Sequence, residues 1–156
     1  MTNFIKIIFN FVFSTADNRV ALYLKLICLC RKRNLVYISL IVTRRLQRKY
    51  GVFIGHKTDF DETLTLRHPT GIVIGMGATL GKNITIFQNV TIGRKNGEDY
   101  PVIGDNTVIY AGAVLVGDIE IGKNCVIGAN SVVNKNIPSN SVVVGVPAKI
   151  IPSKAY

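Results

Sequence analysis

The residues in this sequence best suited to proton-transfer chemistry are its two histidines, His56 and His68. A neutral imidazole takes up a proton near pH 7, so a well-placed histidine can act as a general base toward a hydroxyl group. A zinc site with three imidazole ligands needs more histidines than one chain offers, and the three cysteines lack a zinc-binding spacing. We therefore expect no metal site, and the two histidines are the candidates for proton transfer.

The part of the chain after Gly51 follows a six-residue repeat. Aliphatic or aromatic residues recur every six positions, often followed by Gly, and a small or aliphatic residue lies four positions further on. The repeating positions are Ile54, Phe60, Leu66, Ile74, Leu80, Ile86, Ile92, Ile103, Ile109, Leu115, Ile121, Ile127 and Val133. This period is typical of a β-solenoid, in which three short sides make a coil of about 18 residues. Residues 54–150 then hold roughly five coils.

The repeat is interrupted twice. Between Leu66 and Ile74 there are two extra residues, in the stretch His68-Pro69-Thr70-Gly71, and between Ile92 and Ile103 there are five, around residues 94–101. Irregular segments on a regular scaffold are where functional residues are usually placed. This position favours a functional role for His68 over that of an exposed turn histidine, whereas His56 is interpreted as a surface turn residue.

The first fifty residues have a different composition. They hold ten of the 19 Lys and Arg residues and one acid, Asp17, while every Gly and Pro lies after residue 50. We therefore expect two units, an N-terminal helical segment over 1–50 and a β-helix domain with a C-terminal loop over 51–156. The odd number of cysteines favours a reducing compartment.

Two helices are predicted in the N-terminal segment. The first covers roughly residues 15–31, capped by Ser14 with Asp17. The second starts at Asn34 and ends at Gly51. Its apolar face is predicted at helical spacing, at Leu35, Ile38, Val42, Leu46 and Tyr50.

The N-terminal segment allows two interpretations. It could cap one end of the solenoid core with a solvated basic face, or its basic and apolar surface could rest on anionic lipid headgroups. Nucleic acid is not expected as a partner, because the basic run lacks interleaved aromatic residues and recognisable motifs. No uncharged stretch reaches the ~20 residues that a membrane-spanning helix needs.

Three stretches resemble the serine acetyltransferase branch of the hexapeptide-repeat acyltransferases. They are His68 to Gly75 (HPTGIVIG), Ile86 to Gly93 (IFQNVTIG) and Gly145 to Lys149 (GVPAK). The similarity covers roughly residues 51–151. It implies a mainly β fold, a left-handed parallel β-helix preceded by an α-helical segment, assembled as a homotrimer.

The resemblance also implies roles for single residues. His68 matches the catalytic base, and acetyl-CoA is the implied co-substrate, with no metal. Contacts to coenzyme A are implied for Gly93, Ala111, Ala129 and Lys149. In the chemistry that follows, the base deprotonates a hydroxyl, backbone N–H groups stabilise the oxyanion, and no acyl-enzyme forms.

The acceptor site departs from the family pattern. The aspartate that supports the base falls at Phe53, the aspartate before the catalytic histidine is Arg67, a glutamate is Met76, and the second active-site histidine is Tyr100. What orients His68 is left open, between a backbone carbonyl and an acid of the 94–101 loop, Glu98 or Asp99. Arg67 and Tyr100 are the expected acceptor contacts.

These departures resemble the short O-acetyltransferases of capsule and exopolysaccharide synthesis. The preferred hypothesis is therefore an acetyl-CoA-dependent O-acetyltransferase acting on a small or lipid-linked sugar, in the cytoplasm or peripherally at the inner membrane face. The alternative is a serine O-acetyltransferase of cysteine biosynthesis. A non-catalytic solenoid that only mediates assembly is the remaining class.

Overall fold

The computed structural model describes residues 15–95, 97 and 99–152. Two helices come first, α1 (Ala16–Lys32) and α2 (Val36–Tyr50). Fourteen short strands follow and form three faces of a parallel β-helix. Face A contains β1 (Phe53–Ile54), β3 (Val73–Ile74), β6 (Thr91–Gly93), β9 (Val114–Val116) and β12 (Val132–Val133).

The other two faces complete the coils. Face B contains β4 (Thr79–Leu80), β7 (Val102–Ile103) and β10 (Glu120–Ile121). Face C contains β2 (Thr65–Leu66), β5 (Thr85–Ile86), β8 (Val108–Ile109), β11 (Val126–Ile127), β13 (Val142–Val144) and β14 (Lys149–Ile151). All pairs are parallel except β13 with β14. The five strands of face A correspond to five coils, as the repeat predicts.

The six-residue repeat fills the interior of the β-helix. Every residue at the repeating positions is buried, from Ile54 to Val133, and so are the small or aliphatic residues four positions later, such as Ala78 and Cys125. In each strand from β1 to β13, the residue before the buried one is more exposed and faces outward, as at Val73 and Val102, whereas all three residues of β14 are exposed. One inward side chain per strand therefore suffices to build the core.

The two interruptions lie outside the strands and leave the pairing intact. Thr65 pairs with Thr85, twenty positions on, and Thr91 with Val114, twenty-three positions on. A regular coil spans eighteen, as from Val114 to Val132. The extra residues are thus extruded at corners between faces.

Three edges separate the faces, and they differ in the residues that occupy their corners. The His68 edge joins face C to face A at residues 67–72, 87–90, 110–113 and 128–131. The loop edge joins face A to face B and includes residues 94–101. The asparagine edge joins face B to face C at residues 81–84, 104–107, 122–125 and 138–141.

Stacked asparagines hold the asparagine edge together. Asn83, Asn106, Asn124 and Asn140 all have left-handed backbones, with φ between 55° and 61°. Each side-chain Nδ2 donates to the Oδ1 of the next asparagine, at 3.1, 3.1 and 3.0 Å. Asparagine tolerates this conformation better than most residues, so the same residue type both makes the turn and connects the coils.

The helices pack on the first coil. Arg31 Nη1 donates to the Thr58 carbonyl oxygen at 2.6 Å, and its guanidinium lies 5.0 Å from the centre of the Phe60 ring. Leu24, Ile27 and Leu46 are fully buried in the core that the helices share with the β-helix. The helical segment therefore covers one end of the β-helix; the division into domains at residue 50 stays a prediction.

The helix ends differ in part from the prediction. Thr15 caps α1, its Oγ1 accepting from the Asn18 N–H at 3.4 Å, whereas the predicted cap Ser14 lies outside the described residues. Asn34 does not cap α2; it adopts a left-handed turn conformation, and the capping position falls to Leu35, which makes no side-chain cap bond. Gly51 ends α2 at φ 64°, as predicted.

The predicted apolar face of α2 is correct only in its second half. Val42 and Leu46 are buried and Tyr50 is partly buried, but Leu35 and Ile38 are exposed. Burial begins at Ser39, because the first turn of α2 is not covered by another element among the described residues.

Candidate active site

His68 lies in the two-residue insertion between β2 and β3. Its backbone is left-handed, with φ 49°, its side chain is exposed, and the following Pro69 is buried. Left-handed residues other than Gly are uncommon, and His is one of the types enriched there. The insertion therefore pushes the imidazole out of the core and holds it at the surface.

A carboxylate from α1 reaches this insertion. Asp17 Oδ1 accepts a hydrogen bond from the backbone N–H of His68 at 3.0 Å, and Asp17 Oδ2 lies 3.8 Å from Arg67 Nη1. These residues line one cleft of about 430 Å³, together with the start of α1 and residues 69–70. The imidazole thus lies beside a cleft that presents one negative and one positive side chain.

Aromatic rings continue from His68 along its edge. The Phe87 ring lies 6.3 Å from the His68 ring at 47°, and Tyr110 stacks on Phe87 at 5.0 Å and 20°. Each ring comes from the corner of the next coil. Phe87 therefore limits the orientations that the imidazole can adopt.

Two of the residues implied in coenzyme A binding lie on the His68 edge. Ala111 and Ala129 occupy corners of successive coils, and the Asn130 N–H donates to the Ala111 carbonyl oxygen at 2.9 Å. Lys149 is exposed on β14, where it pairs with Val144 of the last coil. Ala111 and Ala129 therefore form a track of small residues on the edge that carries His68, and Lys149 lies on the last coil.

Gly93 and Tyr100 lie on a different edge. Tyr100 packs its ring on Gly75 and Gly77, just after β3, whereas His68 lies just before β3. Gly93 ends β6, and a Cβ built on it would meet nothing within 4 Å. Within one chain, the structure therefore does not bring Gly93 and Tyr100 to His68.

The cysteines are buried and unpaired. Burial is the largest effect on the Cys28 thiol and raises its pKa, although nearby Arg31 and Lys32 oppose this. A raised pKa disfavours the reactive thiolate. Over the described part of the chain, no three His, Cys, Asp or Glu side chains are grouped as a metal site would require.

Asp17 is the site residue that sequence reasoning missed. From the sequence, Asp17 is expected only in a helix cap, and Glu98 and Asp99 are the candidate acids to orient His68. Glu98 lies outside the described residues. Composition marks Asp17 as the sole acid in the first fifty residues, but nothing in the sequence indicates that it lies beside His68.

Comparison with known proteins supports the repeat and the fold. Residues 100–135 match the family model for the bacterial transferase hexapeptide (six repeats). The chain carries the repeat of the bacterial hexapeptide transferases. A serine acetyltransferase of Staphylococcus aureus is 44% identical over 104 residues, covering 65% of this chain and 49% of that relative. This hexapeptide-repeat chain thus spans about half the length of the curated relatives it matches.

Solved serine acetyltransferases share the fold. The Neisseria gonorrhoeae enzyme in complex with serine has a TM-score of 0.72 and 38% identity, covering 81% of this chain and 53% of that one. A serine acetyltransferase in complex with CoA has a TM-score of 0.76 and 28% identity, covering 88% and 57%. The predicted β-helix with its N-terminal helices is confirmed.

The preferred sugar hypothesis is wrong, because the relatives and solved structures are serine acetyltransferases. It assumed that acids missing at Phe53, Arg67 and Met76 are missing from the site. The structure shows the physical reason for the error: Asp17, distant in sequence, supplies a carboxylate beside His68. Capsule or exopolysaccharide synthesis and a lipid-linked sugar acceptor are withdrawn with it.

Proposed function

We propose that this chain transfers the acetyl group of acetyl-CoA to the hydroxyl of L-serine, with His68 as general base. The observation that carries this proposal is Arg67, half-exposed in the cleft directly before His68. A guanidinium pairs well with a carboxylate, which a free amino acid has and a neutral sugar lacks. The serine acetyltransferase relatives support the same acceptor.

The reaction needs little from the protein beyond placement. Neutral His68 takes the hydroxyl proton as the serine oxygen attacks the thioester carbon. The tetrahedral oxyanion collapses and expels the thiolate of coenzyme A, which takes the proton from the imidazolium. General-base catalysis of this kind contributes roughly 10²- to 10⁴-fold to the rate, and no covalent enzyme intermediate is required.

Steady-state assays with acetyl-CoA test the acceptor. L-serine is expected to be a good substrate, and Arg67→Ala to raise the KM for serine at least tenfold, since a charge-assisted pair is lost. Arg67→Lys keeps the charge and serves as the matched variant, with an intermediate KM. No turnover of L-serine by the wild-type chain would contradict the proposal.

We assign coenzyme A to the track of Ala111 and Ala129 on the His68 edge, with further contacts from Lys149 on β14 and from Gly93 on the loop edge. Gly93 supports this assignment, because nothing within the described chain fills the space where its Cβ would be. Gly93→Ala should therefore leave thermal stability unchanged while raising the KM for acetyl-CoA. Lys149→Ala should weaken binding of acetyl-CoA more than that of its analogue without the 3′-phosphate. Unchanged KM values in both variants would remove these assignments.

A homotrimer would complete the site. His68 and Tyr100 lie at opposite ends of β3 in one chain, so a neighbouring chain could place its loop edge, with Tyr100, against the His68 edge. Mixing His68→Asn with Tyr100→Ala subunits should restore activity, because some sites then receive both intact residues. Absence of restoration in verified mixed oligomers would contradict a shared site.

We also propose that the chain is cytoplasmic and that its N-terminal helices contact a membrane surface. Large apolar side chains are exposed on both helices, including Leu22, Leu26, Tyr37 and Ile41. Ile41 lines a surface hollow together with Arg45, Arg48 and Lys49, which favours anionic lipid over a neutral surface. Neither described helix is both long and apolar enough to cross a bilayer. Flotation with anionic but not zwitterionic vesicles is expected, and no flotation would remove this part.

A further inference from the structure

The insertion that carries His68 is held from outside the β-helix. At the regular corners of the His68 edge, backbone N–H groups donate to the coil before, as Asn89 does to Thr70 at 2.9 Å and Asn130 to Ala111 at 2.9 Å. His68 lies at the first corner of this edge, where no earlier coil is available, and its N–H donates to Asp17 Oδ1. The Arg67 N–H is still paired, with the Ile86 carbonyl oxygen at 2.8 Å, so the tie to α1 begins at His68.

Asp17 links the insertion that carries His68 to a helix packed on the β-helix. It lies in the first turn of α1, and its side chain is only 20% exposed. The other end of α1 is fixed to the first coil by Arg31 on Thr58 and Phe60. The carboxylate therefore connects a firmly packed helix to an inserted loop in which Arg67 and Thr70 are bonded to the next coil, whereas the N–H of His68 is not.

The second carboxylate oxygen acts on Arg67. Asp17 Oδ2 lies 3.8 Å from Arg67 Nη1, and the guanidinium remains 54% exposed toward the cleft. A half-exposed pair of this kind contributes little to stability, but it limits where the guanidinium points. One carboxylate thus faces both the residue proposed as base and the residue proposed to hold the acceptor.

We propose that Asp17 is a positioning residue, which fixes the backbone of His68 through Oδ1 and the side chain of Arg67 through Oδ2. It touches neither the reacting atoms nor coenzyme A. The inference rests on the proposed serine acetylation, and it explains how a chain with Phe53 at the position of the family's supporting acid keeps its base in place.

Variants of Asp17 separate the two contacts. Asp17→Ala removes both and should lower kcat by about 10- to 100-fold, because a small misplacement of a catalytic group is costly. The KM for acetyl-CoA should not change, since its proposed track lies on other coils. Asp17→Asn keeps an oxygen acceptor for the His68 N–H but loses the charge that Arg67 faces. It should restore most of kcat while raising the KM for serine.

A double-variant test assigns the KM effect. If Asp17 acts on the acceptor through Arg67, then Asp17→Asn combined with Arg67→Ala should have the same KM as Arg67→Ala alone. Additive effects would contradict this route. Glu62→Ala is the matched control, because it breaks another exposed contact between α1 and the first coil, Lys32 to Glu62 at 3.8 Å, and should leave kcat and KM unchanged.

Amide hydrogen exchange without substrate gives a readout independent of the acceptor. The His68 N–H should exchange about tenfold faster or more in Asp17→Ala than in wild type or Glu62→Ala, as expected for a lost hydrogen bond. Unchanged exchange and unchanged kcat in folded Asp17→Ala would overturn the inference. Failure of the wild-type chain to acetylate serine would instead overturn the proposed function, while the exchange comparison would still decide on Asp17.

Discussion

The asparagine edge and the His68 edge both turn through left-handed residues at the corners of the coils, but different residue types occupy those positions. On the asparagine edge, four left-handed asparagines stack without a break and bond side chain to side chain. On the His68 edge, the left-handed positions alternate between glycine and asparagine, as at Gly71, Asn89, Gly112 and Asn130. The rings of His68, Phe87 and Tyr110 lie beside these positions.

The difference shows how a repetitive fold separates stability from activity. The asparagine ladder connects the last four coils through three side-chain hydrogen bonds, which the regular spacing of the repeat allows. The His68 edge instead contains a two-residue insertion, which exposes the imidazole of His68. Asp17 from α1 holds that insertion in place through the His68 N–H. We expect substitutions on the first edge to alter unfolding, and substitutions on the second edge to alter turnover.

The largest effect is expected at His68. His68→Asn should lower kcat by about 10²- to 10⁴-fold, because the general base is lost, with little change in melting temperature. Asparagine is preferable to alanine here, since it tolerates the left-handed backbone. His56→Asn, at the other histidine, is the control and should retain activity. Substantial turnover in His68→Asn would show that another group is the base.

The asparagine edge should respond in the opposite way. Asn124→Ala removes two side-chain hydrogen bonds and places alanine in a left-handed conformation, so the free energy of unfolding should fall by about 2–4 kcal/mol. Asn124→Gly tolerates that conformation and should lose about half as much. Denaturant unfolding measures both values, and kcat of the folded protein should be unchanged. A loss of activity without a loss of stability would break the contrast between the edges.

A smaller effect on turnover is expected from the ring beside the imidazole. Phe87→Leu keeps an apolar side chain but removes the ring contacts with His68 and Tyr110. It should lower kcat by about two- to fivefold, since such ring contacts contribute about 1 kcal/mol or less. Tyr110→Leu disturbs only the outer ring and should have less effect than Phe87→Leu. The reverse order would mean that Phe87 does not orient His68.

The smallest effect is a pH dependence on the asparagine edge. Asp105 accepts from the Lys82 backbone N–H at 2.9 Å and faces Lys123 Nζ at 2.9 Å, and these contacts hold the pKa of Asp105 below its usual value. A lowered folded-state pKa stabilises the fold above the unfolded pKa of about 3.9, and this contribution is lost as the pH falls through the folded-state value. Wild type should therefore exceed Asp105→Asn in stability at neutral pH, with the difference vanishing in acid. Asp118→Asn, at an exposed acid of the loop edge, is the control.

Much of the fold could be predicted because the signal is local and repeated. Each short strand buries one side chain, so the positions of Ile74, Ile92 and Leu115 determine which residues face inward. Where two repeat positions are more than six residues apart, the extra residues lie at a corner between faces. Helix caps were less predictable, since Asn34 suits a left-handed turn as well as a cap.

The asparagine ladder went unnoticed although its signal was present. Each asparagine of the ladder comes directly before a small or aliphatic residue that faces the core. The pairs are Asn83 with Ile84, Asn106 with Thr107, Asn124 with Cys125 and Asn140 with Ser141. Asp17 could not be predicted, because its contact with His68 joins residues 51 positions apart. Such a contact depends on how α1 packs against the first coil, which no repeat encodes.

The five-residue insertion at the loop edge has a consequence for how such proteins diverge. Because strands on both sides of it keep their partners, Thr91 with Val114 and Thr79 with Val102, the segment between Gly93 and Val102 can change in length without shifting the rest of the solenoid. Selection or engineering can therefore exchange that segment while the track of small residues on the His68 edge is preserved. Under the proposed shared site, the acceptor contact at Tyr100 could then change independently of the proposed coenzyme A contacts on the His68 edge.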